Sequence, residues 1–329
     1  MREINEMLQN KVKELLDNGT VDRIIGWEAG DFCYDMAPAM FTKENVEELL
    51  YNGFCGANQS KYLIAESQKE GKVLTLLKPC DTYSFNQLLK EHRFDREKVY
   101  ALGIPCAGML DVEKMKELGI TGILGISEEG DTIKVETLYG EKECTKAEVL
   151  LERCKVCKGK EHKAYDELLI PLEEAPEVPQ GADRFELVEK LEAMSEAERF
   201  DFWRGELSKC IRCNACRNVC PACSCRTCVF DNANSGVAAK ANVDSFEENM
   251  FHIIRAFHVA GRCTDCGECS RVCPQQIPLH LLNRKFIKDI DEFYGEFQAG
   301  EDLETAGPLT AYTQEDCEPG IVMEKGGGM

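Results

Sequence analysis

"CIRCNACRNVCPACSCRTC", residues 210–228, places seven cysteines in nineteen residues, and "CTDCGECSRVCP", 263–274, places four in twelve. Aligned on their first cysteines, 210–221 and 263–274 both read C-x2-C-x2-C-x3-C-P. Apart from the cysteines and the proline, only Val219 and Val272 agree. Three thiols at three-residue intervals can wrap one corner of an iron–sulfur cubane, each reaching a different iron. The fourth, followed by proline, is directed away.

This is the spacing of the paired [4Fe–4S] clusters of bacterial ferredoxins, in which the fourth cysteine ligates the other cluster. It predicts Cys210, Cys213, Cys216 and Cys273 as the ligands of one cluster and Cys263, Cys266, Cys269 and Cys220 as those of a second. Zinc is the rival reading, but structural zinc sites favour two well-separated C-x2-C pairs over triplets closed by Cys-Pro. Cys223, Cys225 and Cys228 remain, either as ligands of a further cluster completed by a group such as Cys55 or as packed thiols. His252 and His258, on a predicted helix between the runs, read as packing or surface residues.

The whole chain fits that chemistry. Its 329 residues, 43% hydrophobic and 30% charged, suffice for two domains with ordinary cores. Nineteen cysteines are therefore not needed as staples, and their number is odd. The opening "MREINEMLQNKVKELLDNG" is charged throughout and lacks the apolar core of an export signal. No apolar run approaches a membrane span. Thiols in such number without an export signal imply a reducing cytoplasm and metal binding rather than disulfides. A formal charge of −20 excludes the basic footprint of a nucleic-acid binder. No Ser/His/Asp or paired-carboxylate pattern supports hydrolysis, and no G-x-G-x-x-G follows a strand.

Periodicity predicts a helix over 3–17, with Ile4, Met7, Leu8, Val12 and Leu15 near one face. Strand-like "VDRIIGW", "KVLTLL", "KVYALGI" and "ITGILGI" then alternate with helix-like 43–52, 58–69, 85–92 and 111–118. This is the pattern of an α/β domain with a largely parallel sheet, over 1–170. A proline-rich acidic linker, 171–182, leads to a helical unit over 183–294. Its helices are expected at 184–194, 196–208 and 246–260. The last two open on the capping-box pairs Ser195/Glu198 and Ser245/Glu248, and the last closes at Gly261. The tail 295–329 reads as irregular.

In the first domain, "KVLTLLKPC" and "KVYALGIPC" each end a strand on a cysteine, at the edge where open parallel sheets bind ligands. Cys80 and Cys106 converge if their strands are neighbours. With the C-x2-C pair Cys154 and Cys157 they make four ligands, enough for a third [4Fe–4S] cluster; scattered cysteines plus a zinc knuckle are the alternative.

The 42 residues between Cys220 and Cys263 exceed a compact ferredoxin. The second unit resembles the α-helical ferredoxin domain of succinate dehydrogenase iron–sulfur subunits and of the small subunit of heterodisulfide reductase. "RIIGWEAG", "YNGFCGANQSKYL", "LLKPCDTYS", "REKVYALGIPCAGM" and "ERCKVC" resemble the β-subunit family of deazaflavin-reducing hydrogenases and formate dehydrogenases. So do "FWRGELSKCIRCNACRNVCPACSC" and "FHVAGRCTDCGECSRVCP", so the resemblance spans most of the chain. It implies cluster ligation by Cys80, Cys106, Cys154 and Cys157, with Cys55 as a rival ligand. It also implies a flavin, FAD, beside that cluster. Pro79 and Tyr83 depart from the Gly and Arg usual around the "KPCD" cysteine, at a flavin or deazaflavin contact.

The expected function is an iron–sulfur electron-transfer subunit of an anaerobic oxidoreductase, partnered by a hydrogenase, formate dehydrogenase or heterodisulfide-reductase-like enzyme. The alternatives are a flavin-containing dehydrogenase acting on a deazaflavin, nicotinamide or ferredoxin, and a non-redox metal-binding scaffold.

Overall fold

The structure, a computed structural model, describes residues 2–176, 183–232 and 245–310. The N-terminal unit runs in order through α1 (Arg2–Asp17), β1 (Arg23–Ala29), β2 (Met36–Phe41), α2 (Leu63–Glu66), β3 (Val73–Leu77), α3 (Asp81–Lys90), β4 (Val99–Gly103) and α4 (Val112–Glu117). It continues with β5 (Ile123–Glu129), β6 (Thr132–Thr137), β7 (Gly140–Thr145), α5 (Lys146–Val149), α6 (Glu152–Lys155) and β8 (Glu167–Leu168).

Five strands form a mixed sheet in the order β2-β1-β3-β4-β8. The pairs β1/β3, β3/β4 and β4/β8 are parallel, and β1/β2 is antiparallel. The central strands β3 and β4 are buried on both faces because apolar residues fill both sides of the pleat. Leu74, Leu76, Leu102 and Ile104 pack with Leu8, Val12, Leu15 and Leu16 of α1. Val73, Leu77, Val99 and Ala101 pack with Phe85 and Leu88 of α3. Met7, expected on the buried face of α1, is 44% exposed.

The structure differs from the sequence reading at four places, each for an identifiable reason. β2 was not foreseen because Pro38 interrupts it; as an edge strand it needs no donor on its outer side, and Pro38 sits opposite Trp27. "ITGILGI" does form a strand, β5, but in a separate antiparallel sheet β5-β6-β7. The two-residue turn Gly130–Asp131 and the alternating burial of β6 were its signals. Residues 43–52 contain only a single tight turn, Val46–Glu48. The chain then extends so that Leu50 donates to the Trp27 carbonyl at 3.0 Å, satisfying the sheet in place of a helix. Likewise 58–69 yields a tight turn, Gln59–Tyr62, running into the one-turn α2.

In the second unit the described elements are α7 (Glu186–Glu192), α8 (Glu196–Leu207), α9 (Ala215–Asn218), α10 (Ser245–His258), α11 (Glu268–Arg271) and α12 (Leu279–Tyr294), with one short tight turn at Val229–Asp231. The capping box of α8 forms, with Ser195 and Glu198 exchanging bonds. Gly261 after α10 takes φ +70°. The Ser245/Glu248 side-chain pair, residues 177–182 of the linker and residues 311–329 of the tail lie outside the described residues. The described part of the tail, 295–310, has no regular element but folds back on the first unit. Glu301 pairs with Lys163 at 2.6 Å, and Ala299 is buried.

Gly300 in this segment has φ +75°, and an added Cβ would lie 1.9 Å from the Tyr83 carbonyl oxygen. Gly300→Ala is therefore expected to lower stability by about 1–2 kcal/mol or more. Denaturant unfolding checks this, and an unchanged midpoint would show that the segment does not pack there.

Candidate metal centres

The two cysteine runs share one backbone path. Arg212 and Asn214, flanking Cys213, have φ 54° and 63°, and their counterparts Asp265 and Gly267, flanking Cys266, have φ 52° and 66°. Asn and Gly suit the left-handed region, whereas Arg and Asp adopt it at a cost. That cost is met by anchoring. Arg212 donates to the Glu247 carbonyl at 3.2 Å and lies 4.2 Å over the Phe251 ring. Asp265 accepts from Arg184 at 2.9 Å and from Arg284 at 3.0 Å. The bend turns each backbone N–H onto the sulfur two residues earlier: Arg212 N to Cys210 Sγ at 3.4 Å, and Asp265 N to Cys263. The short helices α9 and α11 carry the third cysteines, Cys216 and Cys269. Pro221 and Pro274 lack the N–H needed to continue a helix, and the chain turns away.

The last cysteine of each run meets the other triplet. Cys273 lines one cavity with Cys210, Cys213 and Cys216, alongside His252 and Phe251. Cys220 is an electrostatic neighbour of Cys263, Cys266 and Cys269 and packs with Val259 and Cys263. A third cavity is lined by Cys80, Cys106, Cys154 and Cys157. Because β3 and β4 are parallel neighbours, the chain leaves both at the same edge, with Cys80 at the N-cap of α3 and Cys106 three residues beyond β4. Gly108 N reaches Cys106 Sγ and Met109 N reaches Cys154 Sγ, each at 3.4 Å. A side chain at Gly159 would meet the Cys80 nitrogen at 2.5 Å, so only glycine lets this loop close on Cys80. Cys266 and Asp265 also line this third cavity, which therefore abuts the second triplet.

Cys55 is buried in the first unit, where its sulfur accepts from Asn52 N at 3.3 Å and its thiol reaches the Leu50 carbonyl at 3.7 Å. Burial pushes that thiol up to about 12. Cys223 donates to the Cys220 sulfur, holding Cys220 down and itself up. Cys225 is exposed, and Cys228 packs in the cluster of Cys216 and Phe230 beside Arg217. Cys55 packs in the core of the first unit, whereas Cys223 and Cys228 pack in separate clusters of the second. Among the described residues, no three His, Cys, Asp or Glu close to the span of a single metal ion.

Burial pushes the cavity thiols up, Cys106, Cys216 and Cys263 each to about 12, so a thiolate there depends on nearby positive charge. A metal centre supplies such charge, and so do fixed cations. Lys78, 1% exposed, lines the third cavity, with Asp81 at 2.7 Å and Trp27 beneath it at 4.6 Å. Arg153 lies beside Cys154, Cys80 and Cys266 and pairs with the buried Glu268 at 2.6 Å. Arg284 binds Glu152 at 2.7 Å. His252 lines the first cavity, and burial followed by the charges of Arg255 and Arg212 drives it down to about 3, so it is a neutral imidazole. His258 is exposed. These buried cations were not foreseen: a single Arg or Lys in an apolar stretch has no spacing that marks it.

Comparison with known proteins agrees with the paired runs. Residues 206–277 match the 4Fe-4S dicluster domain family. The chain is 24% identical to the F420-dependent formate dehydrogenase subunit beta of Methanocaldococcus jannaschii, over 84% of this chain and 87% of that protein. It is 24% identical to the F420-dependent formate dehydrogenase 1 subunit beta of Methanococcus maripaludis, with the same coverage. Among solved structures, the F420-reducing [NiFe] hydrogenase complex of Methanosarcina barkeri contains a chain 16% identical, at a TM-score of 0.37. That match covers 46% of this chain and 58% of the other. No helix among the described residues is long and apolar enough to cross a membrane.

The buried Glu268 carboxyl couples the fold to pH. Burial raises its carboxyl, but Arg271 and Arg153 outweigh burial and hold it down to about 2, from an ordinary 4.5. A depressed carboxyl stabilises the fold above pH 4.5, and that contribution is lost as pH falls toward about 2. Glu268→Gln, which strands Arg153, should cost about 3–5 kcal/mol at neutral pH. Its deficit against the native chain should shrink below pH 4.5. Urea unfolding at pH 7 and pH 3 measures this, and a deficit equal at both would refute the assignment.

Proposed function

We propose that this chain is the iron–sulfur electron-transfer subunit of an oxidoreductase complex, passing electrons to or from a partner enzyme of the formate dehydrogenase or hydrogenase class in the cytoplasm. The observation that carries this reading is the doubled run, with Cys273 sharing a cavity with Cys210, Cys213 and Cys216. The dicluster match over 206–277 and the relatives named as formate dehydrogenase beta subunits support it.

In this reading residues 1–170 form the α/β domain and residues 183–294 an α-helical ferredoxin domain. Cys210, Cys213, Cys216 and Cys273 hold one [4Fe–4S] cluster, and Cys263, Cys266, Cys269 and Cys220 the next. Cys80, Cys106, Cys154 and Cys157 hold a third. When bound, such clusters supply one-electron transfer. The protein's part is to bury the sulfurs, aim backbone N–H groups at them and set fixed cations beside them. The three cysteine groups stand in series, since Cys266 of the second borders the cavity of Cys80, Cys106, Cys154 and Cys157, and Cys269 is an electrostatic neighbour of Cys216 in the first. Cys213 is exposed, and Ile211 beside it is 58% exposed, so the first cavity is the end open to a partner.

A second reading, a flavin-containing dehydrogenase, draws on a cleft of about 560 Å³ between the two units. Tyr34 and Phe54 offer it aromatic faces and Lys114, Arg153 and Arg271 cationic groups for a planar anionic molecule such as FAD, beside the carboxylates of Asp111, Glu113, Glu117 and Glu152. Acid extraction releasing about one FAD per chain would favour this reading.

Anaerobically purified chain should contain about twelve iron and about twelve sulfide atoms, from three cubanes. About eight would remove the site of the first unit, and zinc in place of iron would overturn the function. Cys220→Ser should perturb the cluster of Cys263, Cys266 and Cys269 while sparing that of its own triplet. Electron paramagnetic resonance of the reduced protein distinguishes the two, and loss of the cluster held by Cys210, Cys213 and Cys216 instead would contradict the cross-over.

A further inference from the structure

Helix α10 spans part of the sequence between the two runs and turns Phe251, His252, Arg255 and Ala256 inward. Arg255 is 2% exposed. A guanidinium does not give up its proton in a protein, so its charge is buried with it, and a buried charge is costly unless paired. Two other arginines near the cavities have carboxylates: Arg153 has Glu268 at 2.6 Å, and Arg284 has Glu152 at 2.7 Å. Among the described residues Arg255 has none. Its Nε, Nη1 and Nη2 are all buried with no oxygen or nitrogen partner among the described residues, and its side-chain contact is with the Cys269 sulfur. Its strongest electrostatic neighbours are sulfurs: Cys269, then Cys216, Cys220 and Cys223. Cys216 lines the first cavity, whereas Cys220 and Cys269 belong to the second group.

We propose that Arg255 is a positioning residue shared by both clusters of the helical unit, which takes its counter-charge from their sulfurs and raises both reduction potentials. The inference rests on the proposed function, because it presupposes clusters at these cysteines. A fixed cation favours whichever state of a neighbour is more negative, here the reduced state, and N–H groups directed at sulfur act in the same direction. One cation between two anionic centres also lowers their mutual repulsion in a medium that screens charge poorly.

The test is an anaerobic redox titration of the full chain, followed by electron paramagnetic resonance, in native, Arg255→Gln and Arg255→Lys forms. The Gln variant should move both midpoint potentials of the helical-unit clusters to more negative values, with the Lys variant between it and the native protein. Iron-replete Arg255→Gln with both potentials unmoved, or with only one moved, would overturn the role; a packing residue would leave both in place. If neither variant holds iron, native protein carrying ¹⁵N in its arginine guanidinium groups decides. Pulsed resonance should then detect ¹⁵N coupling on both reduced clusters, and its absence from either refutes the proposal. A native chain without iron would instead defeat the proposed function itself.

Discussion

Thiols buried in the interior of this protein require positive charge buried with them, and most of its inner architecture follows from that requirement. A thiolate removed from water is unstable without a counter-charge. The chain carries a formal charge of −20, yet Lys78, Arg153, Arg255 and Arg284 are all placed inside, beside cysteines. Despite that acidic excess, buried cations stand beside the sulfurs, several of them set against buried carboxylates such as Asp81, Asp265 and Glu268.

Those cations also tie the two units together. Arg153 and Glu152 belong to α6 of the first unit, and their partners Glu268 and Arg284 to α11 and α12 of the second. Arg284 in turn grips Asp265, the residue whose left-handed backbone bends the second run around Cys266. Loop and interface are thus one structure, and a change that loosens the junction also loosens the wrap around the second triplet. Ser84 and Thr264, 2.8 Å apart, and Arg262 with Glu91, at 2.7 Å, extend the junction along α3. A rigid junction suits electron transfer, because it fixes the separation between the third cavity and Cys266.

Legibility varied with how local each signal was. The repeat at 210–221 and 263–274 has the same backbone in both copies even where the residues differ, as at Arg212 and Asp265. α1, α3, α4, α8 and the strands β1, β3 and β4 follow from hydrophobic period and caps. The hairpin β5-β6-β7 was legible too, in Gly130–Asp131 and the alternation after it, but the preceding apolar run read more simply as one more parallel strand. β2 was hidden by Pro38, whose cost depends on edge position, and that is a fact about neighbours.

By itself the sequence determined the chemistry of the metal-binding runs, since three-residue spacing and a closing Cys-Pro are properties of a short backbone and hold wherever the segment lies. It also determined that Cys80 and Cys106 end strands, though not that they meet. Only tertiary structure decided that β3 and β4 are adjacent, which brings these cysteines to one cavity with Cys154 and Cys157, and that Cys55 stays in the core. It alone decided which cations face the sulfurs. Arg153 reaches Glu268 across more than a hundred residues, and Arg255 lies among sulfurs from both runs. Charge pairing acts through space, so it leaves no period or spacing in the chain from which it could be read.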